Sequence, residues 1–234
     1  MILNITYAEA LCLAQEHEML ANPNVFLYGL DVGDHKTIFG SVKGLVEKFG
    51  EKRVFSTPLS EDALTGIGIG AAVMGLRPVY IHIRADFLLL CMNQLGNMAG
   101  NIRYMTGGKL CCPLTVRAVI GHGWGQGMQH AKTIYPLFKH LPGIKVIVPS
   151  TPQEAYSGLR AAIQANDPVL CAEPRWLYGT KGEVDTELKV PLEKWKDLWC
   201  EEPPIPTTRP LENLYYQKKY GCDLRNGEPF RGPF

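Results

Sequence analysis

Short apolar runs and helix-spaced segments alternate through the first 175 residues, and this alternation restricts the chain more than any other feature. A parallel strand covered on both faces reads as an unbroken apolar run; a helix reads as apolar positions three and four apart. Thr6-Tyr7-Ala8-Glu9 has the form of a capping box, and Ala10, Leu11, Leu13, Ala14 and Leu20 follow at helical spacing. Asn22-Pro23-Asn24 ends that helix, and 25–30 is then an apolar run bounded by turn signals. Ser60 predicts the cap of a glycine- and alanine-rich helix over 61–74. Strands are expected over 79–83, 114–120, 144–148 and 168–172, a long helix over 88–104, and a proline-opened helix over 152–164. The pattern predicts an α/β domain over 1–190, a parallel sheet flanked by helices. Beyond it the period is lost, and Glu201-Glu202-Pro203-Pro204-Ile205-Pro206 opens what reads as an extended arm over 191–234.

Composition narrows the function classes. Hydrophobic residues are 46% and charged residues 20%, ordinary for a chain with a packed core. Net charge is +1 with no basic stripe, which argues against nucleic acid and anionic membrane as partners. No window is long and apolar enough for a membrane span, and the N-terminus does not read as a secretion signal. The seven cysteines form no C-x-x-C pair, so they read as reduced thiols in a cytoplasmic protein and not as a metal site.

Three groups of residues stand out chemically. Gly66, Gly68 and Gly70 lie within the helix over 61–74, where each glycine costs about 1 kcal/mol relative to alanine. Tight packing or close approach of a ligand explains them. Glu61 stands where a strand hands over to that helix, the edge at which parallel sheets bind ligands. It reads either as a solvated first-turn acid or as a ligand-facing one. The loop over 121–127 carries four glycines and delivers His130 to the start of the next helix, as a structural or a proton-transferring histidine. His17, His35 and His82 read as surface or packing residues, and His140 as the end of a helix. No P-loop signature occurs.

Taken in order, these residues resemble a known family. Thr57-Pro58-Leu59-Ser60-Glu61, Gly66-Ile67-Gly68-Ile69-Gly70-Ala71-Ala72, Gly75-Leu76-Arg77-Pro78 and Ala85-Asp86-Phe87 carry the first half of the resemblance. Arg103-Tyr104-Met105-Thr106-Gly107-Gly108, Gln129-His130, Leu141-Pro142-Gly143-Ile144 and Asn166-Asp167-Pro168-Val169 carry the second. The set resembles the β subunit of thiamine-diphosphate-dependent 2-oxo acid dehydrogenase E1 components, built on the pyrimidine-binding domain of the transketolase superfamily.

The resemblance implies a chemistry. Thiamine diphosphate lies between two subunits with its aminopyrimidine ring on the β-type domain. The glutamate matched by Glu61 hydrogen-bonds the ring and favours its imino tautomer, which takes the thiazolium proton. Leu59 and Ile67 are expected to give that carboxyl an apolar setting. Phe87 matches the aromatic residue that stacks on the ring, Leu59 and Gly66 adjoin it, and His130 matches a histidine that handles protons on the substrate side. The family's Gly-Asp-Gly diphosphate and Mg²⁺ motif does not occur here. An α-type, transketolase N-terminal-like subunit is therefore expected to hold the diphosphate and Mg²⁺ in an α₂β₂ assembly.

Several positions depart from the family pattern. Leu30 stands where the family has an acid of a proton path between active sites. Arg84 replaces an apolar residue, Lys132 follows His130-Ala131, and His122 and Trp124 occupy the substrate loop. These changes point to a substrate unlike pyruvate, with phosphate or hydroxyl groups for Arg84 or Lys132 to meet. The stretch over 205–214 resembles the closing segment of the family's C-terminal domain, whose body is missing, so 191–234 reads as its remnant. Decarboxylation of a 2-oxo acid and two-carbon transfer both fit. The competing readings are an inactive structural or regulatory paralogue and a flavin- or nucleotide-binding α/β domain.

Overall fold

The computed structural model describes residues 1–34, 37–121, 127–190 and 192. In chain order the regular elements are β1 (Ile2–Thr6), α1 (Tyr7–Ala21), β2 (Val25–Gly29), α2 (Leu45–Phe49), β3 (Val54–Ser56), α3 (Glu61–Val73) and β4 (Arg77–His82). After a helical stretch over 85–105 come β5 (Thr115–Ile120), α5 (Tyr135–Lys139), β6 (Lys145–Ile147), α6 (Pro152–Gln164), β7 (Val169–Pro174) and β8 (Lys181–Asp185). The helical stretch ends in α4 (Ile102–Met105).

Six strands form one sheet in the order β3-β2-β4-β5-β7-β6, every pair parallel. This bears out the parallel sheet expected from the apolar runs, and β5 and β7 are buried along their whole length. β1 and β8 pair antiparallel as a separate ribbon, which apolar periodicity did not announce because both strands are short and half exposed. Two apolar layers cover the sheet. One packs α1 and α6 through residues such as Leu11, Tyr156 and Leu159; the other packs α3, α5 and the 85–105 stretch through Ile69, Leu88, Leu95 and Phe138.

Local signals held at several ends. Thr6 and Glu9 close a reciprocal capping box on α1, and Thr151 accepts from the Glu154 N–H to cap α6. His140 is the C-cap of α5. Ser60 occupies the N-cap position of α3 but makes no side-chain cap bond, so the expected hydroxyl cap is absent.

The long helix expected over 88–104 is not regular. It runs as a 3₁₀ segment (Ala85–Cys91), a π segment (Asn93–Met98), a second 3₁₀ turn (Ala99–Asn101) and then α4. The cause is close packing against the segment before β6. A Cβ on Gly100 would lie 2.7 Å from the Pro142 carbonyl oxygen, and one on Gly143 would lie 1.9 Å from the Gly100 carbonyl oxygen. Backbone meets backbone there, and the helix yields by changing its winding. Similarly, His130 does not open a helix; it lies in a turn, and α5 begins at Tyr135.

Two further features hold the domain. The Arg117 guanidinium is fully buried and donates to both oxygens of buried Glu173, at 2.5 and 2.8 Å. It also donates to Gln15 and Ser41, while the Tyr178 hydroxyl donates to Glu173, so every partner belongs to one network. The second feature is a left-handed turn in which Thr37, Ile38 and Phe39 all have positive φ, between 45° and 57°. Each such residue costs about 1–3 kcal/mol and persists only where its surroundings fix it. Ile38 is buried in the core, and the Ser41 hydroxyl donates to its carbonyl at 3.0 Å.

Candidate functional site

A crevice opens at the carboxyl ends of β2 and β4. The chain leaves β2 toward the layer of α1, α2 and α6, and leaves β4 toward the opposite layer, so the strand ends diverge there. That divergence is the switch point at which parallel sheets bind ligands. The result is a cavity of about 430 Å³ bordered by Leu30, the 57–61 segment, the end of β4, Phe87 and His130.

Glu61 is the first residue of α3, so its carboxylate stands at the positive end of the helix. Its carbonyl accepts from the Thr65 hydroxyl at 2.7 Å, which fixes the first turn. Phe87 meets the His130 ring edge-on, with centroids 5.6 Å apart. The His130 Nδ1 and the Thr57 Oγ1 are buried without hydrogen-bond partners among the described residues. Unpartnered buried polar atoms at a cavity wall suit a ligand that brings the missing donor or acceptor.

The crevice thus brings Glu61, Leu59, Phe87, His130 and Arg84 to one cavity. Gly66 does not border it, and a Cβ there would make only ordinary contact with Gln94. Of the three helix glycines, Gly68 is the one that packing requires, since a Cβ there would lie 2.1 Å from the Tyr28 hydroxyl oxygen. Lys132 stands outside the cavity, its ammonium 3.5 Å from Asp86. His122 and Trp124 lie outside the described residues, as does the arm over 191–234 apart from Leu192. Of the two residues expected to give Glu61 an apolar setting, Leu59 borders the same cavity and Ile67 does not. Both are largely exposed, Leu59 at 70% and Ile67 at 62%.

Sequence reasoning missed Tyr80 and His82. Both border the cavity, two residues apart on one face of β4, with rings 4.3 Å apart. Their spacing at the end of a strand beside the 57–61 segment was the available signal. The His82 Nε2 faces the Cys91 sulfur at 4.0 Å. Burial pulls the His82 pKa down to about 3, so the imidazole stays neutral in the folded chain. Burial likewise pushes the Cys91 thiol up to about 11.

A stability effect follows from His82. Unfolded, it takes up a proton below its ordinary pKa near 6.5; folded, it stays neutral down to about 3. The unfolded state binds the extra proton between these values, so His82 lowers stability as pH falls through that window. The slope approaches 1.4 kcal/mol per pH unit, or about 2 kcal/mol between pH 7 and 5. Urea midpoints at both pH values should differ less for His82→Phe than for the parent. An equal difference removes His82 as the cause.

An all-parallel sheet with an acid, an aromatic ring and a histidine at its switch point defines a ligand-binding α/β domain. Residues 4–181 match the family described as transketolase, pyrimidine binding domain. The chain belongs to that family. It is 40% identical over 184 residues to the 2-oxoisovalerate dehydrogenase subunit beta of Bacillus subtilis (strain 168), covering 78% of this chain and 56% of that protein. It is 41% identical over 181 residues to the acetoin:2,6-dichlorophenolindophenol oxidoreductase subunit beta of Cupriavidus necator, covering 73% and 53%. It is 38% identical to a mitochondrial pyruvate dehydrogenase E1 component subunit beta-2 of Oryza sativa subsp. japonica, covering 79% and 49%. The chain therefore spans about half the length of the curated relatives it matches. In fold it is similar to a solved structure titled split gene transketolase, inactive beta4 tetramer, with TM-score 0.58 and 20% identity over 80% of this chain and 55% of that one. Among the described residues no helix is long and apolar enough to cross a membrane, and no cluster of metal-ligating side chains occurs.

Proposed function

We propose that this chain is the pyrimidine-side, β-type subunit of a thiamine-diphosphate-dependent enzyme acting on a 2-oxo acid. Two-carbon ketol or acyl transfer is the other outcome of the same chemistry. The observation that carries this reading is Glu61 at the head of α3, sharing one crevice with Phe87 and His130. The crevice residues fit the pyrimidine end of the cofactor: a carboxylate for a ring nitrogen, an aromatic face to stack on, and two unpartnered buried polar atoms. When bound, thiamine diphosphate supplies a carbon that carries negative charge as a nucleophile.

This chain's residues then have distinct tasks. Glu61 would share a proton with the ring nitrogen. Phe87 offers its ring for stacking. His130 moves protons on the substrate side. Mg²⁺ belongs with the diphosphate on an α-type subunit in an α₂β₂ assembly, as the lack of a Gly-Asp-Gly motif in the sequence suggests. Exposed Leu59 and Leu90, which border the crevice, support docking of such a partner. A cytoplasmic setting completes the reading. Calorimetric titration of the reconstituted α–β pair with thiamine diphosphate and Mg²⁺ tests it. Saturable binding that the α-type subunit alone does not show is expected, and its absence overturns the reading.

A further inference from the structure

Asp86 carries a carboxylate into the interior beside the crevice, with its side chain only 6% exposed. A buried carboxylate is costly unless it is paired and hydrogen-bonded. Among the described residues, every hydrogen-bond and ion-pair partner of Asp86 is an atom of Lys132. The Lys132 backbone N–H donates to the two carboxylate oxygens, at 3.4 and 3.3 Å, and the Lys132 ammonium lies 3.5 Å away. The lysine side chain is half exposed, so it offsets the buried charge while keeping its own contact with water.

The two ends of this contact differ in how firmly they are built. Asp86 and Phe87 stand in the 3₁₀ segment (Ala85–Cys91), between Ala85 and Leu88, which are both wholly buried. Residues 127–134 belong to no helix or strand, and Gly127, Met128 and Gln129 are exposed. His130 lies in that irregular stretch, and its Nδ1 has no partner to aim the ring. The Phe87 ring meets it edge-on, with centroids 5.6 Å apart. Two neighbours on the firm segment, 86 and 87, thus grip residues 132 and 130 of the irregular one.

We propose that Asp86 is a positioning residue for His130: by accepting from the Lys132 backbone, it holds the irregular stretch so that the His130 ring stays against Phe87 at the crevice. A hydrogen bond to an ionised acceptor is about twice as strong as a neutral one. Set two residues from the histidine, it removes main-chain freedom that the ring contact alone would have to overcome. Placement of a reacting group matters steeply, since an error of about 1 Å can cost about 10²-fold in rate. The place given to His130 does not depend on the thiamine reading; its use on the substrate side rests on it.

Nuclear magnetic resonance of the full chain tests the hold without any cofactor. In the parent, the Lys132 amide should exchange with solvent at least about tenfold more slowly than an unprotected amide. The His130 and Phe87 ring protons should show a mutual Overhauser contact. Asp86→Ala should abolish both signals. Asp86→Asn keeps an acceptor for the N–H and should retain both. An unprotected Lys132 amide in the parent, a readout that needs no variant to fold, overturns the proposal. So does a ring contact that persists in Asp86→Ala or is lost in Asp86→Asn. The reconstituted α–β pair supplies the second arm. There Asp86→Ala should lower kcat about 10–100-fold with cofactor affinity unchanged, and Asp86→Asn should recover most of that loss. Unchanged kcat, or parallel loss of kcat and cofactor affinity, overturns the positioning role. If the parent pair binds no cofactor, the thiamine reading fails, and the resonance arm alone decides the hold on His130.

Discussion

Glu173→Ala is expected to lower the stability of the domain by about 3–5 kcal/mol. The carboxylate is wholly buried and accepts two bonds from Arg117 and one from Tyr178. Its removal leaves a fully buried guanidinium without a counter-charge, with only the neutral Gln15 and Ser41 as partners. In a domain of this size that loss lowers the melting temperature by about 10 °C or more. Replacing both members, as in Arg117→Met with Glu173→Leu, should recover part of the loss, since a well-packed apolar pair can match a buried ion pair. Thermal unfolding of the parent and the two variants checks this. Equal destabilisation by the single and double changes would show that volume, not the stranded charge, sets the cost.

Glu61→Ala in the reconstituted α–β pair is expected to reduce thiamine-dependent turnover about 10²–10⁴-fold, the range for a positioned acid–base group. Substrate KM should change little if the carboxylate acts on the cofactor ring and not on the substrate. Glu61→Gln keeps a hydrogen-bonding side chain of similar size but cannot hand over a proton, so it should bind thiamine diphosphate while losing turnover. Glu61 is the first residue of α3, and neither change removes a core contact, so the fold should survive both. Unchanged turnover in Glu61→Ala means that the acid at the head of α3 takes no part in the reaction.

Much of the fold was legible because its signals are local. The parallel strands announce themselves as unbroken apolar runs, and the capping box at Thr6 and Glu9 needs only a three-residue span. The glycines before α4 were visible as residues, but their effect was not. Gly100 meets Pro142 across more than forty positions, and that meeting turned an expected regular helix into 3₁₀ and π segments. The site divides in the same way. Glu61, Phe87 and His130 were found through their places in ordered motifs. Tyr80 and His82 were not, because within β4 they look like strand residues and become cavity walls only where β2 and β4 part.

The amino-acid order by itself determined the parallel α/β class, most helix ends and the candidate acid at the head of α3, since each depends on neighbours a few positions away. Tertiary structure alone decided the β1–β8 ribbon, the Arg117–Glu173 network and the hold of Asp86 on Lys132. Those contacts join residues from 46 to 183 positions apart, and the chain closes such distances only when burial of the whole core offsets the entropy of bringing them together.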